Sequence, residues 1–96
     1  MDARQREAQL LIRCTAVARD VAPPAADPCE AHVFPLAARV VQSRFPVESS
    51  RLLQASERYV EAHPDTRLAS ADVVRQGWIV DLPRLRDLLS HELGGR

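Results

Sequence analysis

Apolar residues recur along this chain at three- and four-residue steps, the period of a helix with one buried face. Residues 3–21 carry Leu10, Leu11, Cys14, Val17, Ala18 and Val21 on one stripe, with Arg4, Arg6, Glu7, Arg13, Arg19 and Asp20 on the other faces. Ile12 lies beside the stripe and widens it. The spacing predicts one amphipathic helix whose apolar band exceeds what one packing partner covers, so it serves either as core or as a helical dimer seam. Residues 22–28, Ala-Pro-Pro-Ala-Ala-Asp-Pro, break this helix, because Pro23 and Pro24 cannot continue it. The 22–28 stretch reads as a linker that would let residues 1–21 act as an arm or a swapped element.

Asp27-Pro28 has the form of a helix start, with Asp as cap and Pro at the first helical position. Val33, Leu36, Ala37, Val40, Val41 and Phe45 then form a stripe, interrupted by Pro35. An internal proline costs about 3 kcal/mol, so the favoured reading is a turn at 28–33 and a helix from Pro35; a kinked helix through Pro35 is the alternative. Phe45-Pro46 closes that helix and opens another, with Glu48 in its first turn. Its inward positions are Leu52, Leu53, Ser56, Tyr59 and Val60, and His63-Pro64-Asp65 stops it. Ser70 would cap a short helix through Gln76, with Val73 and Val74 inward and Gly77 closing it. Trp78-Ile79-Val80 reads as an extended connection. Asp81 caps a last helix, 82–93, with Pro83 in its first turn, the stripe Leu82, Leu85, Leu88, Leu89 and Leu93, and Gly94-Gly95 beyond it. The sum is an all-α protein. A bundle or array of four to five helices with proline-marked turns makes a single domain over residues 1–96.

Composition narrows the functional classes. Of the 96 residues 46% are hydrophobic and 27% charged, which suits a globular chain and argues against wholesale disorder. Thirteen basic residues, all arginine, balance thirteen acids, and neither half of the chain is basic or acidic. A phosphate-binding face would have to be assembled by folding. The absence of lysine and asparagine, both with A-rich codons, is read as a GC-rich bacterial genome rather than selection for guanidinium. No stretch approaches the roughly 20 apolar residues of a membrane span, and the first residues show no secretory pattern. The expectation is a cytoplasmic protein whose Cys14 and Cys29 are free thiols.

Candidate chemistry is sparse. Cys29-x-x-His32 has half the spacing of a zinc site, but Cys14, His63 and His91 supply no second pair. No Gly-rich phosphate loop and no nucleophile signature is present. The reading is therefore a non-enzyme with no cofactor and no metal. Helix 82–93 begins with Arg84 and Arg86, which in a helix-turn-helix could reach DNA phosphate or base edges. Asp81 and Asp87 flank them and reduce that charge. Trp78 serves either as a core plug or as an exposed anchor for a partner.

The stretch Trp78-Ile79-Val80-Asp81-Leu82-Pro83-Arg84-Leu85-Arg86-Asp87-Leu88-Leu89 is similar to the C-terminal segment of flagellar anti-sigma factors, through Trp78, Val80, Asp81, Arg84, Leu85, Asp87 and Leu89. It departs from that pattern at Ile79, Arg86, Gln76 and Gly77, and its striped N-terminal half is unlike the polar N-terminal half of that family. The resemblance implies a regulator that binds another protein. The sequence reading is an interaction protein, a regulator, chaperone or adaptor subunit that acts through apolar helix faces and pairs with a second copy. Its expected contact residues are Leu10, Leu11, Ile12, Val17 and Val21, with Trp78, Leu82 and Leu85 next. The alternative is a DNA-binding or anti-sigma-like transcriptional regulator using Arg84 and Arg86.

Overall fold

Capping chemistry sets the helix boundaries. In the computed structural model, residues 2–66 and 81–94 are described, and they form α1 (Ala3–Ala18), α2 (Pro28–Val41), α3 (Pro46–Ala62) and α4 (Leu82–Gly94). No strand occurs among them. The short helix capped by Ser70 and the 78–80 connection, Trp78 included, lie outside the described residues. Asp2 opens α1 with a reciprocal capping box: the Gln5 N–H donates to Asp2 Oδ1 at 2.9 Å, and the Asp2 N–H donates to Gln5 Oε1 at 3.0 Å.

The first helix ends three residues before the expected Val21. Asp20 adopts φ 59, the left-handed conformation. The Asp20 N–H then donates to the Val17 carbonyl at 3.0 Å and the Val21 N–H to the Ala16 carbonyl at 2.9 Å. This pair of bonds is the Schellman closure, which satisfies carbonyls that a helix end leaves orphaned. Asp tolerates the left-handed region better than most side chains, though less well than glycine. Val21 therefore leaves the apolar stripe and stands 73% exposed.

The second helix corrects the sequence reading in the other direction. Asp27 accepts from the Glu30 N–H at 2.9 Å with Pro28 at the first position, as the cap pattern predicts, but α2 runs on through Pro35. Pro35 has no N–H to give the Ala31 carbonyl four residues earlier. The Ser56 hydroxyl of α3 donates to that carbonyl instead, at 2.8 Å. One turn-pair away, the Ser49 hydroxyl donates to the Ala38 carbonyl at 2.8 Å. Ser49 and Ser56 are seven residues apart on α3, as Ala31 and Ala38 are on α2, and the pairing runs 31 to 56 and 38 to 49. The two helices are therefore antiparallel neighbours stapled at two heights.

The core draws Leu10, Cys14, Val17 and Ala18 from α1, Val33, Phe34, Ala37, Ala38 and Val41 from α2, Leu52 and Ala55 from α3, and Leu85 and Leu89 from α4. The alanines let backbones approach, while Phe34 and Leu52, both fully buried, fill the centre. Each such large side chain contributes about 1.5–3 kcal/mol by leaving water. Because it shares this core, α1 packs on the rest of its own chain. The proline linker folds back as well: the Arg13 guanidinium donates to the Pro23 and Pro24 carbonyls, each at 3.3 Å. At one end of α4, Arg84 meets Glu7 of α1 at 2.9 Å, and at the other the Arg19 guanidinium donates to the Glu92 carbonyl. Helices α1 and α4 therefore run parallel.

Candidate interaction surface

Of the eight expected contact residues, Trp78 lies outside the described residues, and the structure divides the other seven. Leu10, Val17 and Leu85 are 4%, 5% and 1% exposed and belong to the core of this chain, so they present no surface to a partner. A 3.6-residue stripe cannot tell a helix's own core from a seam with another chain, and here the stripe faces inward. Leu11 and Leu82 are half-buried against that core. Ile12, the residue that widened the stripe, is 66% exposed, as Val21 is at 73%.

Leu11, Ile12 and Val21 come together with Thr15, Ala16 and Arg19 around a shallow depression of about 290 Å³, closed on the α4 side by Glu92. The Schellman closure positions Val21 here, since it turns the chain back beside the last turn of α1. The Thr15 hydroxyl donates to the Leu11 carbonyl at 2.8 Å, so it adds no unpaired donor to the depression. The patch is apolar at its centre and carries one guanidinium and one carboxylate at its edge.

Also on α1, Arg13 makes a part-buried polar contact with α2. Arg13 Nε donates to Glu30 Oε1 at 2.7 Å and its Nη2 to Oε2 at 3.2 Å, a two-pronged pair. The Ala26 N–H donates to Glu30 Oε2 at 2.6 Å. Burial pushes the Glu30 carboxyl up, but the Arg13 hydrogen bond, the Ala26 N–H and the Arg13 charge pull it down further, and the balance lies below the ordinary glutamate value. The hydrogen bond to Glu30 is the main cause that raises Arg13 in turn. The sequence placed Arg13 on a wet face; its partner is seventeen residues away, beyond any local pattern. The pair fixes the linker and the start of α2 against α1.

Arg84 and Arg86 do not form a basic face. Arg84 sits on Glu7 of α1 through both Nε and Nη2, and this carboxylate raises its pKa. Arg86 lies 3.3 Å from Asp87. Both cysteines are free. Burial pushes the Cys14 thiol up to about 12, with Glu30 adding to the shift, so it packs as a neutral apolar group. Burial also raises Cys29, aided by Asp27. Among the described residues no three His, Cys, Asp or Glu side chains are grouped to hold a metal ion, and no buried side-chain nitrogen or oxygen lacks a partner. No helix among them is long and apolar enough to cross a membrane.

A second apolar depression, about 480 Å³, lies between α2 and α3, with Pro35, Leu53 and Val60 as its floor and Glu57 and Glu61 at its rim. Leu53, expected to face inward, is 41% exposed there. Sequence periodicity put Leu53 in the core because it adjoins Leu52; only the Ser49–Ser56 register shows that it stands to one side. No protein-family model, no curated protein and no solved structure matches this chain.

Proposed function

We propose that this chain is a small protein-interaction module that works by pairing with a second copy of itself through the outer face of α1. The observation that carries this reading is the pair of large side chains Ile12 and Val21, 66% and 73% exposed, brought to one patch with Leu11. Lone exposed aliphatic residues are ordinary on a protein surface, whereas a clustered patch with a polar edge is the mark of an association site. Cys14 as a neutral core thiol, and the partnering of the buried polar side chains among the described residues, favour an interaction role over catalysis. The pairing of Arg84 with Glu7 and of Arg86 with Asp87 favours it over duplex-DNA binding.

The test is light scattering on the purified chain across a concentration series. A mass that rises from one chain to two with concentration is the expected result. In Ile12→Ser with Val21→Ser, both at exposed positions, helicity and melting stay unchanged while the mass stays at one chain. A monomer at all concentrations up to roughly 1 mM, the weak end of specific association, overturns the reading.

A further inference from the structure

Helix α3 carries opposite charges on its two flanks. Arg51 and Arg58 line a depression beside Val17, Asp20 and Pro24. Glu57 and Glu61 stand on the other flank, at the rim of the apolar depression that α3 forms with Pro35 of α2. Helical spacing builds this second site. Leu53, Glu57 and Glu61 follow at four-residue steps and make one ridge of α3, and Ser56 and Val60 belong to the next. Leu53, Val60 and Pro35 give the depression of about 480 Å³ a floor without charge. Ser56 adds no unpaired donor, because its hydroxyl is committed to the Ala31 carbonyl. The two carboxylates are exposed and lie on one side of that floor. Among the described residues that line it, α2 supplies only Pro35. The register that pairs 31 with 56 and 38 with 49 puts Arg39 level with Glu48, toward the opposite end of α3 from Glu61. The groove is therefore apolar at its base and negative at its edge.

We propose that this groove docks an amphipathic helix of a different protein, with an apolar ridge on Leu53, Val60 and Pro35 and with Arg or Lys side chains four residues apart facing Glu57 and Glu61. A helix laid into an apolar groove is read through anchors at three- and four-residue steps, and the groove offers its own groups at that step. The ridge from Leu53 to Glu61 spans roughly 12 Å at about 1.5 Å per residue, two turns of a partner helix. Charge sets the choice of partner: an acidic rim attracts cationic segments and repels phosphate-rich surfaces, nucleic acid and anionic lipid alike. Glu61 lies in the last turn of α3, where the negative end of the helix dipole disfavours a carboxylate, so α3 itself gains nothing from that charge. The site is separate from the α1 patch and does not rest on self-association.

The probe is a fluorescent peptide of about 16 residues, long enough to hold a helix, made only of Ala, Leu and Arg. It carries leucines four apart on one ridge and arginines four apart on the next. Anisotropy at about 50 mM salt, where screening is modest, should give a Kd on the order of 100 µM, consistent with a contact below the standard interface size. The same peptide with Glu in place of Arg should bind at least about tenfold more weakly. A scrambled peptide of the same composition should also bind weakly; equal binding means unspecific charge attraction and overturns the proposal. Leu53→Ser should weaken binding about tenfold by removing apolar floor. Glu57→Arg with Glu61→Arg should reverse the preference, so that the Glu peptide binds better than the Arg peptide. All three positions are exposed, so melting of these variants should stay near native. Unchanged affinity in Leu53→Ser, or unchanged preference in the charge-reversed variant, overturns the proposal. Ile12→Ser with Val21→Ser should bind the peptide as the native chain does; loss of binding there places the peptide on α1 and overturns it. A lower mass by light scattering in Leu53→Ser makes a second copy the occupant and overturns it as well. So does the absence of binding by the Arg peptide up to about 1 mM.

Discussion

The α2–α3 hairpin and the flank formed by α1 and the proline linker are held by different physics. Between α2 and α3 the buried contacts are neutral: Phe34, Val33 and Leu52 pack without exposure, and the hydroxyls of Ser49 and Ser56 each satisfy a backbone carbonyl. The α1 side also enters the core, but its outer ties are charged and partly wet. Arg13 reaches Glu30 and two linker carbonyls, Arg51 donates to the Ala18 carbonyl at the end of α1 at 3.1 Å, and Arg84 meets Glu7. Guanidinium ties tolerate water and adjust to a neighbour, whereas a dry hydroxyl staple does not. The hairpin is therefore closed by dry neutral contacts and the α1 flank by guanidinium ties, and each keeps exposed apolar side chains, Val47 and Leu53 on α3 and Ile12 and Val21 on the α1 side.

The sharpest break in this comparison is at Phe34. Phe34→Ala removes a fully buried ring from the centre of the core and should cost about 3–5 kcal/mol. Ile12→Ala removes an aliphatic group of similar character from the exposed patch and should leave the denaturation midpoint of the monomer within about 0.5 kcal/mol of native. Equal losses at the two positions, measured by chemical denaturation at low protein concentration, would mean that α1 has no free face.

The next largest effect separates the charged ties from the neutral ones by pH. Glu30 titrates below its ordinary value in the folded chain, so its contribution is complete above the unfolded value of about 4.3 and is lost as pH falls through the folded value. Glu30→Gln should cost about 2–3 kcal/mol at pH 7, because it leaves Arg13 without its buried acid. It should also flatten the acid limb of the stability curve below about pH 4. An acid limb of undiminished slope in the variant would assign acid sensitivity to other carboxylates.

Pro35 and Ser56 show why part of this fold was not legible in the sequence. Asp27-Pro28, Phe45-Pro46 and His63-Pro64 mark boundaries correctly because a cap or a missing N–H acts within one helical turn. A proline inside a helix is read the same way, and the local rule forbids it. The rule fails here because the donor that replaces the lost N–H comes from Ser56, twenty-five residues beyond the Ala31 carbonyl it serves. Arg13–Glu30 was invisible for the same reason. Leu10, Val17 and Leu85 were placed in a partner surface because periodicity reports which side of a helix is apolar and not what covers it. Ile12 stood out by lying beside the stripe, whereas Val21 was placed on it and leaves it because Asp20 ends the helix first. The staple itself is testable. Ser56→Ala should cost about 1–2 kcal/mol by leaving the Ala31 carbonyl buried and unpaired. In a Pro35→Ala background, where a backbone N–H returns to that carbonyl, the same change should cost less than half as much. Additive effects in the double-variant cycle would show that the two residues do not share the carbonyl.

Asp20 carries the smallest effect, since it closes α1 at a single backbone position. Its φ of 59 is a conformation in which glycine is at ease and a side chain is not. Asp20→Gly should therefore raise the monomer's stability by about 0.5–1 kcal/mol, read as a higher midpoint at low protein concentration. Asp20→Asn keeps a side chain suited to the left-handed region and loses only the charge, so it should leave the midpoint near native. A midpoint in Asp20→Gly no higher than native would mean that the left-handed position costs the aspartate nothing, and a rise of equal size in Asp20→Asn would assign the gain to the lost charge rather than to the backbone.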